Sequence, residues 1–422
     1  MKITVMKERS VGERRVAVTP ETARKFTALG ASICVESGAG AAAGFTDEEY
    51  ASAGASIEST LPTLLTNSAV IVKIQPPFER LADDSLLIDH LPKGAALISL
   101  LSPFAYTGEI HDLATRQVMA FSLEMIPRIS RAQSMDVLSS QSNLAGYRAV
   151  IEAVATTQKI VPLMMTAAGT VKPAKALILG AGVAGLQAIA TAKRLGAVVS
   201  AFDVRPVAKE QVESLGATFI EVPALKADAE TAGGYAKEMD EDYKKRQEAL
   251  LAEVIKDQDI VITTALIPGK PAPTLITRAM VHSMKPGSVI VDMAASAGGN
   301  CACTERGKTS ITAGIIIIGH ENLPSLVAQD ASRLFATNLF NFVKHLVKIN
   351  ESGAPALVIN LEDEITKSTL LTYQGKVVHP LIGERPVVSG AKKPLPSAAP
   401  APKTVTQRKP HIKKQAAEWQ ES

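Results

Sequence analysis

The sequence predicts an α/β protein with two doubly wound domains, each built on a parallel sheet, and a cleft between them. Short apolar runs rich in Val and Ile alternate with helical patterns along most of the 422 residues, and these runs fall into two sets. Continuous apolar strands separated by helices are typical of parallel sheets that are covered on both faces. Because aromatic residues make up only 4% of the chain, the cores are expected to be aliphatic.

The predicted strands follow one another in two groups. The first group lies at Ile3–Val5, Ile33–Val35, Ala69–Lys73, Ala96–Leu100 and Val118–Phe121. The second group lies at Ala176–Leu179, Val198–Phe202, Thr218–Val222, Asp259–Thr263, Val289–Asp292 and Ile315–Ile318. Two groups of this size favour two separate sheets, each with its own helices.

A long amphipathic pattern over Ser325–Lys348 predicts a helix that crosses back to the first domain. The second domain would then be an insertion between two segments of the first. We therefore expect an N-terminal domain of residues 1–137 with about 328–385, a second domain of residues 138–327, and a tail of residues 386–422.

The tail differs from the rest of the chain in composition and charge. From Lys392 onward Pro and Ala dominate and the apolar periodicity is lost, as in a linker; a frayed end and a tether both fit this composition. Residues 392–422 carry seven Lys and Arg against two Glu, a net charge of +5, which leaves −2 for the rest of a chain of net charge +3. A nucleic-acid-binding protein carries its positive charge on the fold itself, so no nucleic acid partner is expected.

Other features of the sequence exclude several classes of protein. No apolar run approaches the roughly 20 residues that span a bilayer, and the N-terminus lacks the apolar region of a secretion signal. The three cysteines, Cys34, Cys301 and Cys303, are too few for a disulfide framework, which fits a reducing compartment. The pair at 301 and 303 has no nearby His, so we expect no metal site.

The clearest motif is the glycine-rich turn GAGVAG at residues 180–185. A predicted strand precedes it and a helical pattern over Val183–Leu195 follows it, which is the context of a dinucleotide-binding turn in a Rossmann-like domain. Gly180 permits the tight turn, Gly182 lets a pyrophosphate approach, and Gly185 allows close packing of strand and helix. The N–H groups at the helix start can bind phosphates. The alternative is a glycine-rich turn without a ligand.

The strand after this turn ends at Asp203, 18 residues beyond Gly185. A carboxylate there can accept hydrogen bonds from both ribose hydroxyls and would repel a 2′-phosphate, which favours NAD over NADP. Arg205 is a counter-signal, because its guanidinium could neutralise such a phosphate. Two more loops, residues 263–269 and 292–300, follow strands and would lie at the ligand-binding edge; plain connections are the alternative.

Polar residues crowd the junction between the two strand groups, in the sequence PRISRAQSMD and just after it. Arg128, Gln133, Asp136 and Ser139 could hold a carboxamide or a ribose, because clefts between domains are preferred ligand sites. The alternative is a loop in which Ser134 or Asp136 caps the following helix. A second charged stretch, residues 226–247, fits either a flexible lobe over the cofactor or a solvated insertion.

The N-terminal sequence KERSVGERRVAVTPETARKFTALG resembles the alanine dehydrogenase and transhydrogenase superfamily. The segment PRISRAQSMDVLSSQSNLAGYRA closely resembles the NAD(H)-binding alpha subunits of proton-translocating NAD(P)+ transhydrogenases. The sequences GGYAKEM, TTALIPGKPAP, AGGNC and GHENLPS follow in the order of that family. The resemblance covers roughly residues 1–385.

The resemblance implies an enzyme component that binds NAD(H) and passes hydride directly to NADP(H) on a partner subunit, coupled to proton movement through a membrane domain. It implies that Arg128, Gln133, Asp136, Ser139 and Tyr235 position the nicotinamide and its ribose. No side chain need act as an acid or base, since hydride passes between two nicotinamides. The residues implied to contact NAD are Arg128, Ile129, Gln133, Ser134, Asp136, Gly180, Gly182, Val183, Gly185, Asp203, Val204, Arg205, Gly234 and Leu266.

Alanine dehydrogenase is the alternative within the superfamily. Its chemistry needs a cationic clamp for a keto acid and a general acid or base. Arg15 and Lys73 stand where the clamp residues fall, but Leu100–Pro103 occupies the region of the expected His, and Ser296 stands in place of an expected Asp. The proton-transfer half is therefore missing. A third hypothesis is a nucleotide sensor that binds NADH without turnover.

The resemblance also implies partners and a location. We expect a homodimer at the cytoplasmic face of the inner membrane, held there by membrane-embedded transhydrogenase subunits and an NADP-binding domain. In many family members this chain continues into transmembrane helices. Here we expect those helices on a separate polypeptide, with the basic tail leading toward the membrane domain.

Overall fold

The structure, a computed structural model, describes residues 1–222, 241–266, 270–351 and 353–383. Its strands are β1 (Lys2–Val5), β2 (Ser32–Glu36), β3 (Ser56–Glu58), β4 (Val70–Val72), β5 (Ala96–Ser99), β6 (Met119–Ser122), β7 (Met164–Thr166), β8 (Gly169–Val171), β9 (Lys175–Leu179), β10 (Val198–Phe202), β11 (Thr218–Phe219), β12 (Ile260–Thr263), β13 (Val289–Asp292), β14 (Thr309–Thr312), β15 (Ile315–Ile318), β16 (Val347–Ile349), β17 (Pro355–Leu357), β18 (Leu370–Tyr373) and β19 (Lys376–Val377). Its α-helices are α1 (Pro20–Ala28), α2 (Asp47–Ser52), α3 (Leu61–Leu65), α4 (Thr107–Thr115), α5 (Val137–Thr156), α6 (Val183–Arg194), α7 (Ala208–Ser214), α8 (Glu241–Ile255), α9 (Arg278–Ser283), α10 (Ala328–Leu346) and α11 (Glu364–Thr369).

Two large sheets organise the described residues, as the sequence predicts. The first has the strand order β19-β18-β6-β5-β4-β1-β2-β3, and the second β11-β10-β9-β12-β13-β15-β14. Strands β1 to β6 pair in parallel, as do β9 to β13 and β15. The predicted α/β architecture with parallel sheets is thus confirmed for the interior of both sheets.

The second sheet is covered on both faces, which explains its continuous apolar strands. Along β9, Ile178 faces one hydrophobic core while Leu177 and Leu179 face another. The same alternation holds on β12, where Ile260 and Ile262 belong to the first of these cores and Val261 to the second. Because successive side chains point to opposite faces, a strand between two cores must be apolar throughout.

Helix α10 accounts for the amphipathic pattern predicted over Ser325–Lys348. It follows the last strand of the second sheet, yet its buried side chains pack in the core of the first. The ring of Phe340 lies 5.0 Å from that of Phe26 on α1, and the ring of Phe342 lies 5.8 Å from that of Phe121 on β6. The chain therefore returns to the first sheet through this helix.

The edges of both sheets differ from the purely parallel prediction. Strand β18 pairs antiparallel with β6 and with β19, and β14 pairs antiparallel with β15. These strands have two to four residues, and β14 alternates between exposed and half-buried positions instead of forming an apolar run. An edge strand needs only one covered side, so its sequence lacks the apolar pattern used for prediction.

Helices α5 and α6 cross at a contact between backbones. A Cβ at Gly146 of α5 would lie 2.1 Å from the carbonyl oxygen of Ala184 in α6. Only glycine permits this distance, so Gly146 sets how closely α5 approaches the start of α6.

We expect Gly146→Ala to lower the free energy of unfolding by about 1–3 kcal/mol, because the added methyl must push the two helices apart. Urea denaturation measures this change. Gly108→Ala on α4 is the matched control, since a Cβ there would meet no atom within 4 Å. Equal stability of the Gly146 variant and the wild type would contradict the close crossing.

Candidate functional site

Four strand ends of the second sheet meet at one edge. Leu179 at the end of β9 lies in register with Phe202 of β10 and with Thr263 of β12, and Thr263 lies in register with Asp292 of β13. The glycine turn, Asp203 and the loops that begin at residues 263 and 292 therefore lie together, at the carboxyl edge where open α/β sheets bind ligands.

The glycine turn is built from close backbone contacts. Gly180 has a φ of +100°, and its N–H donates to the carbonyl of Phe202 at 2.8 Å. A Cβ at Gly185 would lie 1.8 Å from the carbonyl oxygen of Gly180. Two of the three glycines are thus required by the fold itself.

Gly182 differs from these two glycines. It is the N-cap of α6, with a φ of −79°, and a Cβ there would meet no protein atom within 4 Å. The fold would accept a side chain at this position. A requirement for glycine at 182 must therefore come from a ligand that approaches the backbone, as a pyrophosphate does at a dinucleotide-binding turn.

Asp203 ties the turn to the next strand. Its Oδ2 accepts a hydrogen bond from the N–H of Ala181 at 2.7 Å, and its Oδ1 accepts one from the N–H of Arg205 at 2.9 Å. The Arg205 guanidinium adds an ion pair, from Nε to Oδ1 at 2.9 Å and from NH2 to Oδ2 at 2.8 Å. Both residues can be picked out from the sequence, but their pairing cannot.

Helix α8 covers the neighbourhood of Asp203. Burial, and secondarily the Asp203 charge, raises the pKa of Tyr243 on this helix. Val204 packs partly buried against the same core, and Leu266 is 45% exposed in the loop after β12. Gly234, Tyr235 and most of the predicted lobe over residues 226–247 lie outside the described residues.

The loop after β13 is held by its own polar groups. The buried carboxylate of Asp292 accepts hydrogen bonds from the hydroxyls of Thr263 and Thr304, at 3.0 and 2.6 Å. The buried side chain of Asn300 bonds both the N–H and the carbonyl of Ala265, at 3.0 and 2.9 Å. These groups brace the loops at residues 263 and 292 against each other. Burial raises the pKa of the nearby Cys301 thiol to about 11, so this cysteine stays protonated.

The junction segment forms a 3₁₀ helix, Ser130–Met135, that leads into α5. Asp136 is the N-cap of α5: its carboxylate accepts from the N–H of Ser139 at 2.9 Å and from its hydroxyl at 2.5 Å. The capping alternative is therefore correct for Asp136. Ser134 does not cap; its carbonyl accepts from the side-chain amides of Asn338 and Asn341.

The remaining residues implied for the nicotinamide end are accessible. Arg128, Gln133 and Ser134 are exposed, and Ile129 is half-buried against the first core. Arg131 beside them forms an ion pair at 2.5 Å with Asp363, which N-caps α11. This anchor was missed from the sequence, because no local pattern relates two positions 232 residues apart.

Helix α5 joins the two ends of the site. It begins at the Asp136 cap in the junction segment and crosses α6, which begins at Gly182. The close contact at Gly146 therefore fixes the junction segment relative to the glycine turn.

Arg15 and Lys73 lie in a separate buried cluster. The Arg15 guanidinium donates to both carboxylate oxygens of Glu13, at 2.8 and 2.7 Å. The Lys73 amine lies 2.9 Å from Glu8 and 3.1 Å from Glu79. Each cation already has a carboxylate partner from this chain, so a substrate carboxylate would have to displace one.

Charges in this cluster are strongly coupled. Burial opposes ionisation of Glu13, but Arg15 outweighs it and lowers the pKa to about 2. Burial raises the pKa of Glu8 despite Lys73; burial alone would lower the pKa of Lys73, but Glu8 and Glu79 raise it. Glu13 also accepts from Asn322, beyond the second sheet, at 3.0 Å. The cluster thus ties the N-terminal loop to the segment that leads into α10.

Comparisons with known proteins identify similar chains. The N-terminal domain described as alanine dehydrogenase/PNT matches residues 4–145, and its C-terminal domain matches residues 149–380. The first of the chains that make up the NAD(P) transhydrogenase subunit alpha of Rhodospirillum rubrum is 53% identical over 387 residues, covering 90% of this chain and 99% of that protein. The alanine dehydrogenase of Halomonas elongata is 27% identical over 400 residues, covering 91% and 96%.

A solved structure agrees. The transhydrogenase from Sinorhizobium meliloti has a TM-score of 0.76 and 44% identity, covering 90% of this chain and 99% of that chain. Within the described ranges, no helix has the length and apolar character needed to cross a bilayer.

We expect Gly182→Ala to leave the free energy of unfolding unchanged but to weaken binding of NADH, the ligand that the turn predicts, at least about tenfold. The methyl group would point only toward the approaching pyrophosphate. Gly185→Ala is the contrasting variant, which should lose stability instead. Urea denaturation and isothermal calorimetry separate the two effects, and unaltered NADH affinity in the Gly182 variant would refute the assigned role.

We expect Glu13→Gln to lower the free energy of unfolding at pH 7 by about 3–5 kcal/mol, because Arg15 stays buried without its charged partner. A depressed carboxyl pKa stabilises the fold above its unfolded value and loses that effect as pH falls. The difference from wild type should therefore shrink between pH 4.5 and 2. Urea denaturation across this range checks it, with the exposed Glu248→Gln as control. A pH-independent difference would contradict the assignment.

Proposed function

Because the chain belongs to the alanine dehydrogenase/PNT family, we propose that it is the NAD(H)-binding component of a transhydrogenase. It passes hydride between NADH and NADP+ bound on a partner subunit. The observation that carries this proposal is the 53% identity to a transhydrogenase alpha-subunit chain over nearly the full length of both chains, against 27% to an alanine dehydrogenase.

The carboxyl edge of the second sheet fits the adenosine and pyrophosphate half of NAD(H). The turn from Gly180 to Gly185 brings the start of α6 to this edge, where its unpaired N–H groups favour a pyrophosphate. A Cβ at Gly182 would fill the space in front of them. Asp203 lies at the end of the neighbouring strand, at the position suited to the adenosine ribose.

The junction segment is assigned to the nicotinamide half. Arg128 and Gln133 expose polar groups there, while the cap formed by Asp136 and Ser139 holds the start of α5. Tyr235 and Gly234, together with Ile129, Ser134, Val183, Val204, Arg205 and Leu266, complete the proposed set of NAD contacts.

The chemistry needs positioning and not proton transfer by a side chain. Bound NADH supplies the hydride, and the chain's own residues orient the ring toward the partner and exclude water. Arg15 and Lys73 are paired with glutamates, and Leu100 and Ser296 occupy the places where a proton-transfer pair is expected. This favours transfer between two nicotinamides over reductive amination.

The proposed assembly includes an NADP-binding domain and membrane-embedded subunits at the cytoplasmic face of the inner membrane, through which hydride transfer is coupled to proton translocation. The name of the Rhodospirillum rubrum relative, which describes one portion of an alpha subunit, supports partner subunits. We propose the division expected from the sequence, with residues 138–327 inserted in the first domain. The return of α10 and β18 to the first sheet supports it. Limited proteolysis that cut within one of these units, and not at their boundaries, would oppose it.

A homodimer is also proposed. The hairpin of β7 and β8 carries exposed Leu163, Met165 and Val171, with Met165 76% exposed. A two-stranded hairpin is marginally stable alone, and its apolar side chains would be covered by a second copy. Sedimentation showing only monomers at micromolar concentration would contradict this.

The test of the proposed function uses two reactions. The purified chain is first given NADH, pyruvate and ammonia, and then an NAD analogue with a shifted spectrum together with NADPH and the NADP-binding partner. The proposal predicts hydride transfer only in the second reaction, dependent on both proteins. NADH oxidation in the first would instead identify an amino-acid dehydrogenase, and binding without turnover in either would identify a sensor.

We expect Gln133→Asn to slow single-turnover hydride transfer about tenfold while changing the dissociation constant of NADH less than about threefold, because a shortened amide would misplace the ring without removing the main binding contacts. Stopped-flow measurement with the partner present checks the rate. Gln211→Asn on the exposed face of α7 is the matched control. An unchanged rate would show that Gln133 does not position the ring.

A further inference from the structure

We propose that Arg205 is a specificity-determining residue of the coenzyme site: its guanidinium occupies the Asp203 carboxylate and must leave before an adenosine ribose can bind there. This inference rests on the proposed function. It turns the counter-signal seen in the sequence into a defined competition between an internal cation and the coenzyme.

The acceptor positions of Asp203 are already filled. An ionised carboxylate offers about four lone-pair sites. Four donors bond this one: the N–H groups of Ala181 and Arg205, and Nε and NH2 of the Arg205 side chain. The ribose hydroxyls can donate to Asp203 only if donors already present are displaced.

The four donors differ in how freely they can move. The N–H of Ala181 belongs to the glycine turn, which is held by the contact of Gly180 with Phe202. The N–H of Arg205 lies two residues from Asp203 on the same backbone. The guanidinium, in contrast, ends a long flexible side chain that is 16% exposed, beside a carboxylate that is 7% exposed. Only this group can rotate away without unfolding the site.

The ion pair also affects selectivity between coenzymes. With Arg205 in place, the Asp203 charge is neutralised by a bidentate ion pair, which weakens its repulsion of a 2′-phosphate. Without Arg205, the carboxylate would be free for the two ribose hydroxyls of NADH and would repel the phosphate of NADPH fully. Arg205 therefore lowers the affinity for NADH and also lowers the discrimination against NADPH.

Calorimetry with NADH, NADPH and reduced nicotinamide mononucleotide, which lacks the adenosine half, tests this inference on the full-length chain. We expect Arg205→Met to tighten NADH binding roughly fivefold, the effect of removing one partly exposed ion pair, and to weaken NADPH binding. Binding of the mononucleotide should not change. In an Asp203→Asn background the gain for NADH should disappear.

Arg205→Lys provides a second variant that keeps the charge but loses the bidentate fork, and it should give an intermediate NADH affinity. Weaker NADH binding by Arg205→Met, or an equal gain in the Asp203→Asn background, would overturn the inference while leaving the proposed function intact. A wild-type chain that binds no NADH would instead overturn the proposed function.

Discussion

The contact between the backbones of Gly180 and Gly185 is the constraint on which the proposed site depends. A side chain at 185 would lie 1.8 Å from the Gly180 carbonyl, so the end of β9 and the start of α6 can meet only through glycine. This contact directs the N–H groups of α6 toward the carboxyl edge of the sheet. It also holds the turn where Asp203 can accept from the N–H of Ala181. A fault here would displace both the phosphate-binding and the ribose-binding groups.

A second close approach carries this constraint across the molecule. Gly146 lets α5 lie against the Ala184 carbonyl, so the helix that begins at the Asp136 cap is fixed to the helix that begins at Gly182. With 20 residues, α5 is about 30 Å long, and it connects the junction segment to the second sheet. Helix α10 and the Glu13 cluster then bind the second sheet to the first. The two proposed halves of the coenzyme site are thus positioned by backbone contacts and buried charges, and not by flexible loops.

The interior of the fold could be predicted because burial on two faces leaves a direct record in the sequence. Every apolar run assigned as a strand is a strand, and the glycine turn lies between β9 and α6 as its spacing indicates. The short edge strands β14, β18 and β19 could not be predicted, since one-sided burial over a few residues leaves little pattern. Gly146 was missed because a helical glycine is informative only when its neighbour in space is known.

The candidate site was predictable in position but not in its interactions. Asp203 and Arg205 can be assigned from the strand end, yet their mutual ion pair depends on a side-chain conformation that no spacing specifies. Asp136 fits both a cap and a ligand contact by residue type, and the structure is needed to show that it caps. The anchor of Arg131 on Asp363 joins distant segments of the chain and leaves no local signal.

The central claim is that this chain delivers hydride directly from NADH to a second nicotinamide without an acid or base of its own. Its most direct test uses NADH carrying deuterium at the transferred position of C4, mixed with the chain, the NADP-binding partner and NADP+. Mass spectrometry then follows the label. The account predicts that the deuterium appears quantitatively in NADPH, and only when both proteins are present. Loss of the label to solvent, or transfer to alanine when pyruvate and ammonia are supplied, would contradict it.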